Sequence, residues 1–334
     1  MAKGMSMKRL SEEAGVSIAT VSRVLNKQGN YSPEIEEKVM RVVEDSSYIP
    51  DIAARALRCS SLSFVGMIVA DLTTPFFASL IFKLQKRLYS QGYVPILYNT
   101  ADTEPGMARY LDSFFAYGVS SLIYVAAHPV TAEISTLQLP CVLIECAMPS
   151  AASDAQYVAI QADHVQAGFD VTNQLIQSGC TRILYMHSKH GLNRMSGKFI
   201  GYQHALWEHH IELDDSRILT LDYSAADQAY ETIAAQLQRG VEFDAVLANS
   251  DEVATGVIHA LRDHGKSVPG DVKVFGYDNS DISTYYYPAI SSVDLDLDGV
   301  VELAATSLDR LTKKEPLDQA EYTMPVKLVI RETT

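Results

Sequence analysis

The sequence predicts an N-terminal all-α helix-turn-helix headpiece followed by an α/β core of two doubly wound parallel-sheet lobes. Three observations carry that reading. Short helix-forming stretches punctuated by Gly15 and Ser17 fill the first fifty residues, β-branched runs alternate with helical patterns from Leu62 onward, and the alternation comes in two successive series. Such alternation marks parallel sheets covered by crossover helices. At 334 residues the chain also exceeds what one hydrophobic core organises.

The headpiece begins at Ser6, placed to cap a helix with Met7, Leu10 and Ala14 on one face and Gly15 as its stop. Ser17 opens a second helix, with Val21, Val24 and Leu25 spaced to pack back on the first. A third starts at Ser32-Pro33-Glu34, a cap followed by proline at the first helical position, and turns Ile35, Val39, Val42 and Val43 inward. Pro50 then breaks the chain before Ile52-Ala53-Ala54-Arg55-Ala56-Leu57-Arg58, a helix former too poor in apolar faces to stand alone.

Two short helices and a tight turn can belong to any small bundle, so the residue types decide the reading. The first turn of the second helix is shaped to enter a DNA major groove, with Thr20, Ser22 and Asn26 offering small donors to phosphates and Arg23 able to grip a guanine bidentately. The net charge of −14 would oppose this if it were spread evenly. Residues 1–60 hold nine Lys/Arg against eight Asp/Glu, a net of +1, which leaves −15 for the remainder.

Ala14-Gly15-Val16-Ser17, Thr20-Val21-Ser22-Arg23-Val24-Leu25-Asn26, Tyr48-Ile49-Pro50 and Ala53, Arg55 and Leu57 together resemble the headpiece and hinge of the lactose-repressor (LacI/GalR) family. The resemblance implies a DNA-contacting set of Ser17, Ile18, Ala19, Thr20, Ser22, Arg23, Asn26, Tyr48, Arg55 and Leu57. Within it, Ile18, Ala19 and Arg23 take the base-reading positions, and the hinge helix folds when two subunits lie side by side on an operator. Leu57 matches a minor-groove wedge, which would kink the duplex at a flexible central step; the other reading is a core leucine at a domain boundary. Arg9 and the pair Ile35-Glu36 depart from the family's usual residues, and Ile18 and Ala19 offer only apolar contact, so the operator sequence does not transfer from a relative.

The core strands are predicted at Phe64–Val69, Val94–Tyr98, Leu122–Val125 and Val142–Ile144, then at Ile183–Met186, Ile218–Leu221, Ala245–Leu247 and Val272–Phe275. No dinucleotide fingerprint, P-loop, nucleophile elbow or metal-spaced histidine pair interrupts them, so neither an enzyme nor a cofactor is expected. His187, His190, His209 and His210 read as exposed loop or helix residues rather than metal ligands, and Cys59, Cys141, Cys146 and Cys180 as reduced structural thiols.

The core too resembles the family, which in turn is similar to periplasmic sugar-binding proteins, and the resemblance places ligand in the cleft between lobes. It implies three crossings between lobes, with crossing strands near 161 and 292. The division is then a headpiece at 1–50, a hinge helix and linker at 51–61, an N-terminal core lobe of 62–161 with 293–324, and a C-terminal core lobe of 162–292 with 325–334. The effector contacts it implies are Phe76 as an apolar wall, Tyr223 as a stacking ring, Ser250 and Asp278 as hydrogen-bonding groups, Glu145 as a further acceptor and Lys198 where an arginine usually grips the ligand. Ordinary loop packing is the other reading of Phe76 and Tyr223. Leu295 replaces a commonly polar pocket residue, and Lys198 tilts the expectation toward an anionic ligand.

The expected function is therefore a sequence-specific transcription regulator, a repressor that binds a palindromic double-stranded operator as a homodimer and answers to a sugar or sugar derivative. No signal segment, membrane span or heptad tail is visible, which points to a cytoplasmic dimer without membrane contact. A solute-binding protein would share the core, and a regulator governed by a protein corepressor would share everything but the ligand.

Overall fold

The computed structural model describes residues 7–25, 29, 31–46, 63–100, 107–126, 130–148, 156–189 and 197–334. The chain forms two compact units, residues 1–62 and 63–334.

In the first unit, helices α1 (Met7–Ala14), α2 (Ile18–Leu25) and α3 (Pro33–Ser46) enclose a core of Leu10, Ala14, Val21, Val24 and Val39. Met7, Val16, Tyr31, Ile35, Val42 and Val43 close around it. The turn between α1 and α2 needs a left-handed residue, and Gly15 supplies it at φ +66°. Ser17 then caps α2, its Oγ accepting the Thr20 N–H at 3.1 Å, and Ser32 caps α3 through the Ile35 N–H at 3.4 Å.

The second unit contains β1 (Ser63–Val69), α4 (Pro75–Ser90), β2 (Tyr93–Asn99), α5 (Met107–Ala116), β3 (Val119–Val125), α6 (Ala132–Ser135), β4 (Cys141–Ile144), β5 (Tyr157–Ala162) and α7 (His164–Gln177). It continues through β6 (Ile183–Ser188), α8 (Gly197–Glu208), β7 (Ile218–Leu221), α9 (Ala226–Gln238), β8 (Ala245–Leu247), α10 (Asp251–Asp263), β9 (Lys273–Phe275) and α11 (Asp281–Tyr285). It ends with β10 (Ser292–Asp294), α12 (Leu297–Lys313), β11 (Glu321–Met324) and β12 (Lys327–Val329).

Among the described residues the strands form a parallel sheet ordered β11-β5-β4-β3-β1-β2, a second parallel sheet ordered β7-β6-β8-β9, and an antiparallel β10-β12 pair. Buried side chains of α4 and α12 pack on one face of the first sheet, and Leu111, Phe114 and Ile134 from α5 and α6 on the other. The second sheet is covered in the same way by α7 and α8 on one face and α9 and α10 on the other. Burial on both faces explains the uninterrupted apolar runs such as Val65-Gly66-Met67-Ile68-Val69.

Each predicted strand is present, β5 and β10 lie where crossing strands are expected near 161 and 292, and β11 and β12 are additions to them. β11 joins the first sheet from far along the chain, with Tyr322 in register with Ile160, while Val293 pairs Leu328 across the β10-β12 ribbon. Helices α4 and α12 are tied by Lys83 to Asp298 at 2.5 Å and by a two-pronged grip of Arg87 on Glu302 at 2.7 and 2.8 Å. Among the described residues no helix is long and apolar enough to cross a membrane.

Candidate functional site

The first candidate surface is the outer side of α2. Burying Val21 and Val24 against α1 and α3 turns the opposite face of the helix outward, so Ser17, Ala19 and Arg23 are exposed and Ile18 is 46% exposed. Thr20 and Ser22 are half-buried at the edge of that face. The Ser17 and Thr20 hydroxyls lie 2.8 Å apart, and Arg23 Nε donates to the Ala19 carbonyl at 3.3 Å, laying the guanidinium stem along the helix. Asn26, Tyr48, Arg55 and Leu57 lie outside the described residues, as does the 51–61 hinge.

The second is a cavity of about 840 Å³ within the core unit, at the carboxyl ends of strands from both parallel sheets. Open α/β sheets collect ligands there because loops and helix N-termini converge on those ends. Phe76, Glu145, Lys198, Tyr223, Ser250 and Asp278 all line it. They come from the first turn of α4, the residue after β4, the first turn of α8, the segment after β7, the cap of α10 and the segment after β9.

Their local settings differ from a simple ring of ligand donors and acceptors. Glu145 sits in the left-handed region at φ +59° and spends both oxygens inside the protein, Oε1 on the Ala162 N–H at 3.2 Å and Oε2 on His164 Nε2 at 2.5 Å. Burial works against its charge, but His164, the Ala162 N–H and Lys198 together hold its pKa below the usual value. His164 Nδ1 meets the Tyr277 hydroxyl at 2.8 Å, so one chain of polar contacts runs from the end of β4 to the segment after β9. Glu145 thus lines the cavity as an internal strut between the end of β4 and His164. Ser250 is likewise committed, its Oγ accepting the Val253 N–H at 3.2 Å as the cap of α10.

Lys198 lies over the Tyr277 ring, Nζ 3.3 Å from the centroid, and donates to the Asn249 carbonyl at 3.2 Å. Burial lowers its pKa, while Asp278, Glu145 and Asp251 oppose that shift. Asp278 stands at φ +94°, and burial pushes its carboxyl up to about 7 against the pull of Lys198. A side chain held in that backbone region is a mark of functional strain. Phe76 is buried in the wall, whereas Tyr223 is 50% exposed at the rim with its hydroxyl donating to Asp227 at 3.2 Å; Leu295 is a buried part of the lining.

Tyr277 and Asn249 adjoin the expected cleft residues Asp278 and Ser250, whereas His164 is not among the residues that the sequence points to. The signal for His164 is the crossing strand expected near 161, carried by the β-branched and aromatic run Tyr157-Val158-Ala159-Ile160, which places Asp163-His164 at a strand end. His187 also lines the cavity, its Nε2 3.0 Å from the Thr220 hydroxyl. No cluster of three metal-ligating side chains occurs among the described residues.

A helix-turn-helix with an outward apolar-and-arginine face, joined in one chain to a two-lobed α/β core, is the architecture of a DNA-binding regulator. Residues 6–51 match the model of the bacterial regulatory proteins, lacI family, and residues 172–334 that of a periplasmic binding protein-like domain. The chain is 30% identical to the HTH-type transcriptional regulator RegA of Clostridium saccharobutylicum, over 98% of this chain and 99% of that one. It is 29% identical to catabolite control protein A of Priestia megaterium, over 97% and 98%. In fold it matches a lac repressor dimer crystallised with operator and the anti-inducer ONPF, with a TM-score of 0.84, 21% identity and 99% of both chains covered. A cellobiose complex of the regulator CelR gives a TM-score of 0.72 at 23% identity, over 98% of this chain and 99% of that one. The chain belongs to the lacI family. It is a DNA-binding transcription regulator, and its family is one of regulators rather than enzymes.

Proposed function

We propose that this regulator is a cytoplasmic repressor that binds a palindromic operator as a homodimer and is controlled by a sugar or sugar derivative in the cleft between its core lobes. The observation that carries the reading is the 840 Å³ cavity, lined by aromatic walls and a few inward polar groups at the carboxyl ends of two sheets. Asp278 and Lys198 are its principal polar contacts for ligand, Phe76 and Tyr223 its aromatic ones, Ser250 a polar neighbour, and Glu145 acts through His164.

On DNA, Ile18, Ala19 and Arg23 read bases in the major groove, Ser17, Thr20, Ser22, Asn26 and Tyr48 hold phosphates, and Arg55 and Leu57 reach the minor groove from the hinge. The proposed division is 1–50, 51–61, 62–161 with 293–324, and 162–292 with 325–334. The dimer forms through α4, where Phe82 and Tyr89 are 68% and 74% exposed.

A thermal-shift panel of sugars, sugar phosphates, sugar acids and nucleosides tests the ligand reading, since ligand at about 100 times its Kd stabilises by roughly 2.7 kcal/mol. A compound that raises Tm and also changes operator affinity in fluorescence anisotropy is the expected result. If nothing on the panel raises Tm, the cavity is not a small-molecule sensor of this class and a protein corepressor takes its place.

A further inference from the structure

Lys198 is the one Lys or Arg among the described residues that line the cavity, and its amine is held in place. Nζ rests 3.3 Å from the centroid of the Tyr277 ring and donates to the Asn249 carbonyl at 3.2 Å, and among the described residues it closes no ion pair. The ring beneath it is fixed, because the Tyr277 hydroxyl lies 2.8 Å from His164 Nδ1. The root of the side chain is fixed too, since the Lys198 carbonyl packs on Gly168 with no room for a Cβ between them.

An ammonium carries three N–H donors and no lone pair, and this position gives it one acceptor oxygen and one ring face. The ring favours the cation. Burial works the other way and prevails, lowering the pKa although Asp278, Glu145 and Asp251 oppose the shift. A larger share of this amine is therefore unprotonated than of an ordinary lysine at the same pH, and the unprotonated amine is a nucleophile toward carbonyl carbon. It lies on the wall of a cavity of about 840 Å³, room enough for a small polyhydroxylated molecule beside it.

Building on the effector reading above, we propose that Lys198 captures its ligand covalently, its amine condensing reversibly with the aldehyde of a small open-chain aldose to give an imine. Nζ supplies its lone pair to the carbonyl carbon, the N–C bond forms and the C–O bond breaks. Both amine protons leave with the carbonyl oxygen as water, so nothing is oxidised or reduced, and water reverses the step. Capture of this kind separates an aldose from the alditol that has the same hydroxyls without the aldehyde, a distinction that hydrogen bonds to hydroxyls do not make.

The test treats the full chain with D-erythrose or D-ribose and cyanoborohydride, which reduces an imine to a stable secondary amine, and locates the labelled lysines by peptide mass. Lys198 is expected to label about tenfold faster than the exposed Lys86 and Lys314, and its rate to level off with rising pH below the ordinary lysine value of about 10.4. By thermal shift each aldose is expected to raise Tm at about one tenth the concentration that erythritol or ribitol needs. Lys198→Arg keeps a cation but forms no imine, so it should lose both the label and the aldose advantage; its own melting reports whether it is folded, and the wild-type peptide map decides the matter if it is not. Labelling of Lys198 no faster than of Lys86 and Lys314 overturns the inference, and a Tm rise with any of the four compounds then leaves a hydrogen-bonded sugar effector in place. Selective labelling of Lys198 with no Tm rise supports the capture chemistry and overturns the sugar as effector, and failure of both measurements overturns both readings.

Discussion

Arg23 carries the sharpest residue-level expectation. It projects from the exposed face of α2, and its guanidinium is the one group there able to make a bidentate contact with guanine. Arg23→Ala is expected to cost roughly 1–3 kcal/mol of specific operator binding while non-specific affinity stays nearly intact, read by anisotropy on operator and scrambled duplexes. A parallel loss on both duplexes would assign Arg23 to phosphate contact instead. Asp278 gives a pH signature. Burial, with Asp251 and Glu145 adding to it and Lys198 opposing, raises its carboxyl to about 7 in the folded protein. Between the ordinary carboxylate value of about 3.9 and about 7, the native state then holds more proton than the unfolded chain, so stability declines as pH rises through that window. Lys198, lowered by burial, contributes with the opposite sign below its ordinary value. Asp278→Asn should flatten the acid-side decline in Tm measured from pH 4 to pH 7, as expected for a group with this titration range; an unchanged slope would remove Asp278 as its source.

At the scale of elements, the position of Lys198 depends on two glycines. Helices α7 and α8 approach so closely that a Cβ at Gly168 would lie 2.1 Å from the Lys198 carbonyl oxygen, and one at Gly201 would lie 2.0 Å from that of Val165. Backbone sits against backbone there, and no flexible side chain can yield. Gly168→Ala is expected to force the helices apart at a cost of about 1–3 kcal/mol in urea unfolding, and to weaken effector binding by moving Lys198 off the Tyr277 ring. Full stability in the alanine variant would show that the helix pair can slide. The strut from Glu145 through His164 to Tyr277 joins the ends of β4 and β9, which belong to different sheets. His164→Ala leaves the part-buried Glu145 carboxylate without its imidazole partner, and a loss of about 1–3 kcal/mol is expected in the same denaturant experiment.

On the scale of the whole molecule, assembly and coupling are the testable quantities. Phe82 and Tyr89 are large apolar surfaces on a long helix, and Phe82→Asp is expected to shift sedimentation from dimer to monomer and to lower operator affinity by separating paired headpieces. A dimer that persists in this variant would move the interface away from α4. Coupling between cavity and operator must be reciprocal, so an effector that weakens DNA binding will itself bind the operator complex less tightly by the same factor.

Much of this was legible along the chain because it depends on neighbours within a few residues. Gly15, Ser17 and Ser32 mark the headpiece helices through local backbone and capping chemistry, and the β-branched runs mark strands buried on both faces. Placing Phe76, Glu145, Lys198, Tyr223, Ser250 and Asp278 on one cavity needed only the rule that ligand sites gather at strand ends, together with the family resemblance. What the side chains do once there was another matter. That Glu145 is taken up by His164, that His164 meets Tyr277, and that Lys198 lies over the Tyr277 ring each depend on segments far apart in sequence meeting at a few ångströms. The sequence by itself determined the elements and the family, because propensity, capping and periodicity are local. Only the tertiary structure decided the charge balance of the cavity, because Coulomb and hydrogen-bond energies follow distance in space and burial, which no spacing along the chain reports.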